Sequence, residues 1–330
     1  MSSKQIDSLN IGLIILSAIL AYLFPLQLLV FAFAILGPLH FFTEINWLDK
    51  KNYFTKYPRK YWLIIGTIST AIIVFPKLFF FFYTYDESAL SKGIITLNEW
   101  TNSLIFLTLL LAFGFVFLYK RFAWVILIIV GVVGAIFLKD TTMYKTIIGL
   151  LIPTIIHVYV FTLLFMLYGA LRSKSTRGYY SVALAILVPI LFVFIDLEGH
   201  NYLFSDNIKS IYIENGFLST PTGLAKFIGI SDGKSFYFYH PMELKLMMFI
   251  SFIYLYHYLN WFSKTSVIGW HKNLTTKSTL TIVIAWIILL VLFYFDYRLG
   301  FVCALFFSFL HVILEFPLNL ISIQGIFKKN

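Results

Sequence analysis

The chain repeats one spacing of histidine and glutamate, with His40 four residues before Glu44 and His311 four residues before Glu315. Residues four apart on an α-helix lie on the same face, one turn above the other. An imidazole nitrogen and a carboxylate oxygen on one face can bind a metal ion or exchange a proton. Both pairs lie in long apolar runs, where an ionisable residue costs about 2.5 to 3.5 kcal/mol to insert. The spacing therefore predicts a function inside a membrane.

Two further histidines, His157 and His257, also lie in apolar runs. Imidazole nitrogen combined with carboxylate oxygen suits iron, zinc or manganese, and we predict one or two ions, with iron first. The predicted metal ligands are His40, His157, His257, His311, Glu44 and Glu315. The two glutamates are also candidates for a general base, and Asn260 and Tyr258 are predicted to orient ligands or substrate.

The composition places the whole chain in a membrane. Of its 330 residues, 60% are hydrophobic and only 12% are charged, unlike any ordinary soluble domain. The sequence divides into ten apolar runs of about the length that crosses a bilayer, of which the first and seventh are short, and the first two could instead form a re-entrant pair around Pro25. The ten runs cover residues 9–24, 26–47, 61–83, 100–119, 122–138, 146–171, 180–195, 242–262, 278–297 and 300–323. We therefore predict an all-α integral membrane protein, a bundle of about ten transmembrane helices in one domain over residues 1–330.

The longest connection, at about residues 196–241, alternates apolar and polar residues between glycines and prolines. This pattern predicts one or two interfacial helices or a lid on the outer surface, rather than a separate domain.

Lysine and arginine collect in alternate connections. If the N-terminus is cytoplasmic, the inner segments hold 16 of the 25 basic residues. The positive-inside rule then predicts two cytoplasmic termini in a multi-pass protein, which we expect in a bacterial inner membrane. The net charge of +10 thus reflects topology, and we expect no nucleic acid partner. All four membrane histidines would lie at comparable depth, between the middle of the bilayer and its inner interface.

Several familiar chemistries have no counterpart in the sequence. It contains no Gly-rich phosphate loop, dinucleotide fingerprint, G-x-S-x-G or H-E-x-x-H, which disfavours ATP-driven transport, nicotinamide binding and standard metalloprotease activity. The single Cys303 excludes a disulfide framework and a Cys-based metal motif. Membrane desaturases and hydroxylases also combine apolar spans with many histidines, but their H-x-x-x-H and H-x-x-H-H boxes do not occur here.

These observations favour a membrane-bound, metal-dependent enzyme of lipid metabolism, of the oxygenase, hydroxylase or desaturase type. Its substrate would be a membrane lipid or an isoprenoid-like chain that reaches the site laterally, and an oxidoreductase would also need an electron donor. Two alternatives stay open. In a proton- or cation-coupled transporter, Glu44 and Glu315 would be the titrating groups. In a scaffold subunit, the polar groups would only fasten helices together.

Overall fold

The computed structural model describes residues 3–328, and every regular element in that range is a helix. We number the helices of nine or more residues in chain order. They are α1 (Ser3–Leu23), α2 (Gln27–Lys50), α3 (Arg59–Phe82), α4 (Ala89–Glu99), α5 (Thr101–Phe117), α6 (Arg121–Leu138), α7 (Thr142–Ser173), α8 (Thr176–Phe194), α9 (Asp206–Glu214), α10 (Ser219–Phe227), α11 (Pro241–Ser263), α12 (Thr276–Phe295) and α13 (Tyr297–Phe327).

Each of the ten predicted apolar runs coincides with a long helix. Eight of these helices are long and apolar enough to cross a membrane, and there are nine such spans if the bent pair α4 and α5 counts as one. Helix α11 is not among them, because its tyrosines, His257 and Asn260 make it less apolar than the others. The long apolar helices indicate a multi-pass membrane protein, whereas the ten-span count and the orientation stay predictions.

Polar caps and helix breakers set the ends of the helices. The side chains of Ser175 and Asp296 accept backbone hydrogen bonds at the starts of α8 and α13. Pro25 lies in the tight turn between α1 and α2, and the Ser251 hydroxyl of α11 donates to its carbonyl at 2.5 Å. One helix therefore ends and the next begins at this point, and α11 packs against the turn between them.

Three of the four helices that carry the histidines, α2, α11 and α13, lie at the centre of the bundle. In the most apolar stretch of each helix, 67% of α2 and 56% of α13 are buried, against 11% of α6 and α12. Helix α11 packs against α1, α2, α7, α8 and α10, and its residues Met247, Met248 and Phe252 are fully buried. A helix enclosed on all sides keeps its polar groups away from lipid.

Two of these central helices contain π-helical stretches, Ala32–Leu36 in α2 and Lys145–Phe161 in α7. Pro38 follows the first stretch closely, and Pro153 lies inside the second. Proline removes a backbone hydrogen bond and its ring clashes with the preceding turn, which a wider turn accommodates. Such turns are frequent at functional sites, and here one directly precedes the segment with His40 while the other contains His157.

The connection between α8 and α11 contains the two short helices α9 and α10, in agreement with the predicted helical segment. Tyr212 of α9 is fully buried, and its hydroxyl donates to the Leu26 carbonyl at 2.9 Å. Gly223 of α10 faces Leu150 of α7 so closely that a Cβ would lie 2.1 Å from Leu150 Cδ2. The connection therefore packs against the α1–α2 turn and against α7.

Gly66 of α3 allows a close approach to α13. A Cβ at this position would lie 2.8 Å from Leu314 Cδ2, and Leu314 is fully buried. We expect Gly66→Ala to lower the midpoint of thermal unfolding in detergent, because overpacking a core costs about 1 to 3 kcal/mol. Gly12→Ala in α1 is the matched control, since nothing lies within 4 Å of its Cβ, and it should keep or raise the midpoint. Equal shifts in the two variants would contradict this account of the packing.

Candidate metal centre

The four membrane histidines lie together as a closed ring of imidazoles, one each from α2, α7, α11 and α13. The ring centroids of His40 and His257 are 4.7 Å apart, and those of His257 and His157 are 5.2 Å apart. The ring closes through His157 and His311 at 5.0 Å and through His311 and His40 at 5.2 Å. All four residues are exposed by 8% or less. We call this group the histidine ring.

The Nε2 atoms of the histidine ring face one another in two pairs. His40 Nε2 is 3.0 Å from His257 Nε2, and His157 Nε2 is 3.2 Å from His311 Nε2. Two nitrogens that each lie about 2.1 Å from one ion are about 3.0 to 3.4 Å apart, depending on the angle between them. Both separations therefore suit two ligands of one ion as well as an N–H···N hydrogen bond.

Three members of the histidine ring lie close enough together to be candidates for holding one ion. Ligand nitrogens of His40, His257 and His311 all lie within 4.8 Å of one another, and all three residues are buried. A buried group of three imidazoles could hold a metal ion, and neutral imidazole is the form that binds it. His157 extends the group through its contact with His311.

Each glutamate contacts one member of the histidine ring. Glu44 Oε2 lies 3.1 Å from His40 Nε2 within α2, and Glu315 Oε2 lies 3.1 Å from His157 Nδ1 of another helix. Among the side chains that the structure describes, neither glutamate forms an ion pair with a lysine or arginine. A buried carboxyl group without a cationic side chain is stabilised either by a proton or by another cation, and a metal ion between the imidazoles would supply the latter.

Thr162 of α7 fixes the orientation of His257. Its hydroxyl donates to the Val158 carbonyl at 2.8 Å and lies 2.8 Å from His257 Nδ1. Because the hydroxyl has a single proton, the second contact requires Nδ1–H of His257 as the donor. The lone pair of His257 Nε2 then faces His40. Sequence reasoning missed Thr162, whose only signal is a threonine five residues after His157 in an apolar run.

Aromatic side chains pack against two other members of the histidine ring. Phe41 stacks on His311 with centroids 4.8 Å apart and an interplanar angle of 19°. Tyr258, which was predicted to orient ligands or substrate, packs beside His40 with centroids 5.2 Å apart. Such contacts restrict the rotation of each imidazole, so the nitrogens stay directed into the ring.

A cavity of about 650 Å³ extends from the histidine ring toward the ends of α2, α7 and α11. His40, Glu44, His257 and Glu315 line its inner part. Asn260 also lines it, and its Oδ1 has no hydrogen-bond partner among the described residues. The volume lies within the usual range of ligand sites, about 300 to 1,000 Å³. An unpartnered amide oxygen beside a cavity is suited to contact a bound molecule.

No protein-family model, curated protein or solved structure matches this chain. Its function is therefore inferred from the chemistry of the site alone.

Loss of the Thr162 hydroxyl should weaken metal binding without removing a ligand. We expect Thr162→Val to lower the affinity about 10- to 100-fold, which is typical when an outer hydrogen-bond partner of a metal ligand is lost. Thr162→Ser keeps the hydroxyl and is the matched control. Titration against a chromogenic chelator measures both affinities. Unchanged affinity in Thr162→Val would contradict the assigned orientation of His257.

Proposed function

We propose that this protein is an integral-membrane, metal-dependent enzyme that acts on a lipophilic substrate. The observation that carries the proposal is the histidine ring together with Glu44 and Glu315. These four buried imidazoles and two carboxyl groups meet, and in the described part of the chain no lysine or arginine pairs with them. Fastening helices needs one such pair, whereas a ring of this size provides the ligands for an ion.

The ligands proposed are His40, His257 and His311, with His157 as a fourth nitrogen. Glu44 and Glu315 complete the coordination of one or two ions, or act as general base at their carboxylate oxygens. Mixed nitrogen and carboxylate ligands suit iron, zinc and manganese, and of these we propose iron because the proposed reaction requires the activation of oxygen. A bound iron ion would supply the activation of oxygen that an oxygenase, hydroxylase or desaturase needs.

The protein would contribute positioning and the exclusion of water. The cavity gives a lipid or isoprenoid-like chain access to the histidine ring, and Phe165, Met166 and Trp261 provide apolar and aromatic wall. Such a wall keeps a reactive oxidant from bulk water. Tyr258 and Asn260 would orient ligands or substrate, and a separate electron donor would be required. We also propose that the cavity opens to the cytoplasm, because its outer part lies at the basic ends of the helices.

A proton- or cation-coupled transporter is the second candidate. The contacts of Glu44 with His40, and of Glu315 with His157, join protonatable groups into two short chains that meet in the histidine ring. Buried His and Glu in such chains also form proton relays. Transport would require an exit on the opposite side of the bundle, which is the feature that separates the two proposals in an experiment.

The two proposals are tested with full-length protein in nanodiscs and in sealed vesicles. Nanodisc samples loaded with Fe²⁺ or Zn²⁺ receive oxygen, a reductant and a mixture of membrane lipids and isoprenoids. Oxygen uptake and new oxidised or desaturated products are measured. The enzyme proposal predicts products with iron and none with zinc. Flux across vesicles driven by a pH gradient, without any lipid product, would overturn it in favour of transport.

A further inference from the structure

Three cationic side chains surround the outer part of the cavity. Lys51 follows the end of α2, Arg172 lies in the last turn of α7, and Lys264 follows the end of α11. None of the three forms an ion pair within residues 3–328. Asp7 is the one acidic residue that lines this part of the cavity. The mouth therefore carries a net positive charge that the described side chains do not neutralise.

Lys264 is the most enclosed of these cations. It is partly buried, and burial lowers its pKa to about 8, partly offset by attraction to Asp7. At neutral pH the side chain is still largely protonated. An enclosed ammonium group without a bound counter-ion is unfavourable, and a ligand anion would stabilise it.

The wall between the cations and the histidine ring is largely apolar, with Ile6, Phe54, Phe165, Met166 and Leu318 among its residues. Lys264 comes seven residues after His257, and Lys51 comes eleven residues after His40. At 1.5 Å per residue these offsets correspond to about 10 and about 16 Å along the helices. The cavity thus has a charged mouth, an apolar middle and a polar inner end.

We propose that the cavity binds an amphiphile with an anionic headgroup, a carboxylate or a phosphate, held by Lys51, Arg172 and Lys264. Its apolar chain extends inward, so the carbon presented to the histidine ring lies about 10 to 16 Å from the headgroup. The proposal names the substrate class of the proposed enzyme and rests on that function. Basic residues are common at the cytoplasmic ends of membrane helices. Lys51, Arg172 and Lys264 differ from such residues in general because all three line the same cavity.

The test measures binding of radiolabelled palmitate and of hexadecyl phosphate to full-length protein in detergent. Hexadecanol is the neutral probe with the same chain, and inorganic phosphate is the headgroup without the chain. Wild type is compared with Arg172→Met and Lys264→Met. Lys60→Met is the matched control, because Lys60 is an exposed cation that does not line the cavity. Metal content is determined in every sample.

We expect wild type to bind at least one of the two anionic amphiphiles at least tenfold more tightly than hexadecanol and than inorganic phosphate. The stronger of the two identifies the headgroup as carboxylate or phosphate. Arg172→Met and Lys264→Met should each reduce this preference about tenfold, and Lys60→Met should not change it. Lys51 and Arg172 also face the headgroup, with Asp7 as the acidic residue beside them, so loss of the Lys264 charge alone should lower affinity only in part as the pH rises through about 8.

Equal binding of hexadecanol and both anions, or the same loss in Lys60→Met, would overturn the proposal. If either result came with full metal content, the metal site would stand and only the substrate class would fail. Loss of metal from wild type would instead count against the proposed function itself.

Discussion

Replacement of His257 by alanine is expected to abolish stoichiometric metal binding while the helical bundle stays folded. His257 belongs to the three-histidine group, contacts His40 Nε2 through its own Nε2, and is oriented by Thr162. Loss of an outer partner of a ligand weakens binding about 10- to 100-fold, and loss of the ligand itself should exceed this. Metal content by elemental analysis and helicity by circular dichroism provide the two readouts.

His271→Ala is the control for this variant. His271 is exposed, lies outside the histidine ring, and its Nδ1 lies 2.9 Å from the Thr265 carbonyl oxygen. It should retain the metal content of wild type. If His257→Ala also retained its metal and only lost thermal stability, the histidine ring would be a structural fastening, as in the scaffold hypothesis.

Glu315→Gln is expected to change stability in opposite directions with and without metal. The substitution keeps the shape of the side chain and removes a buried negative charge that contacts His157. Without metal, loss of a poorly compensated charge should keep or raise the unfolding midpoint. With metal, the weaker ion binding should lower the midpoint relative to wild type, because a bound ligand stabilises the folded state by RT ln(1 + L/Kd), where L is the free ligand concentration, and this quantity falls as Kd rises.

Glu87→Gln serves as the matched control, since Glu87 is 83% exposed and pairs with Lys92 at the surface. This variant should change the free energy of unfolding by less than about 1 kcal/mol, with or without metal. A Glu315→Gln midpoint that moves in the same direction and by the same amount with and without metal would show that Glu315 has no role in ion binding.

Much of the bundle follows from sequence because apolar length and charge placement are strong signals. The ten predicted runs coincide with long helices, and the comparable depth expected for His40, His157, His257 and His311 agrees with their meeting in one ring. Depth depends only on the rise per residue and on where a span starts. The rise is a constant of the α-helix, and the start of each span can be read from the sequence.

Partners across helices could not be predicted in the same way, because they depend on how each helix is rotated. The i to i+4 spacing correctly suggests a contact of His40 with Glu44, but Glu315 contacts His157 rather than His311. Helix α7 is π-helical through Lys145–Phe161, so the ordinary period of 3.6 residues does not describe which side His157 faces. The same irregular period leaves the side that Thr162 faces, and so its contact with His257, unpredictable from the sequence.

The grouping of three cations at the mouth of the cavity could not be predicted from the sequence either. Lys51, Arg172 and Lys264 lie more than ninety residues apart along the chain and each resembles an ordinary cytoplasmic flank. Only the packing of α2, α7 and α11 brings them to one cavity.

The most direct test of the central claim is X-ray absorption spectroscopy, combined with elemental analysis, on wild-type protein purified without chelator. We expect one or two ions per chain, with at least three imidazole nitrogens about 2.0 to 2.1 Å from the metal. Folded protein without stoichiometric metal, or metal without imidazole ligands, would contradict this expectation.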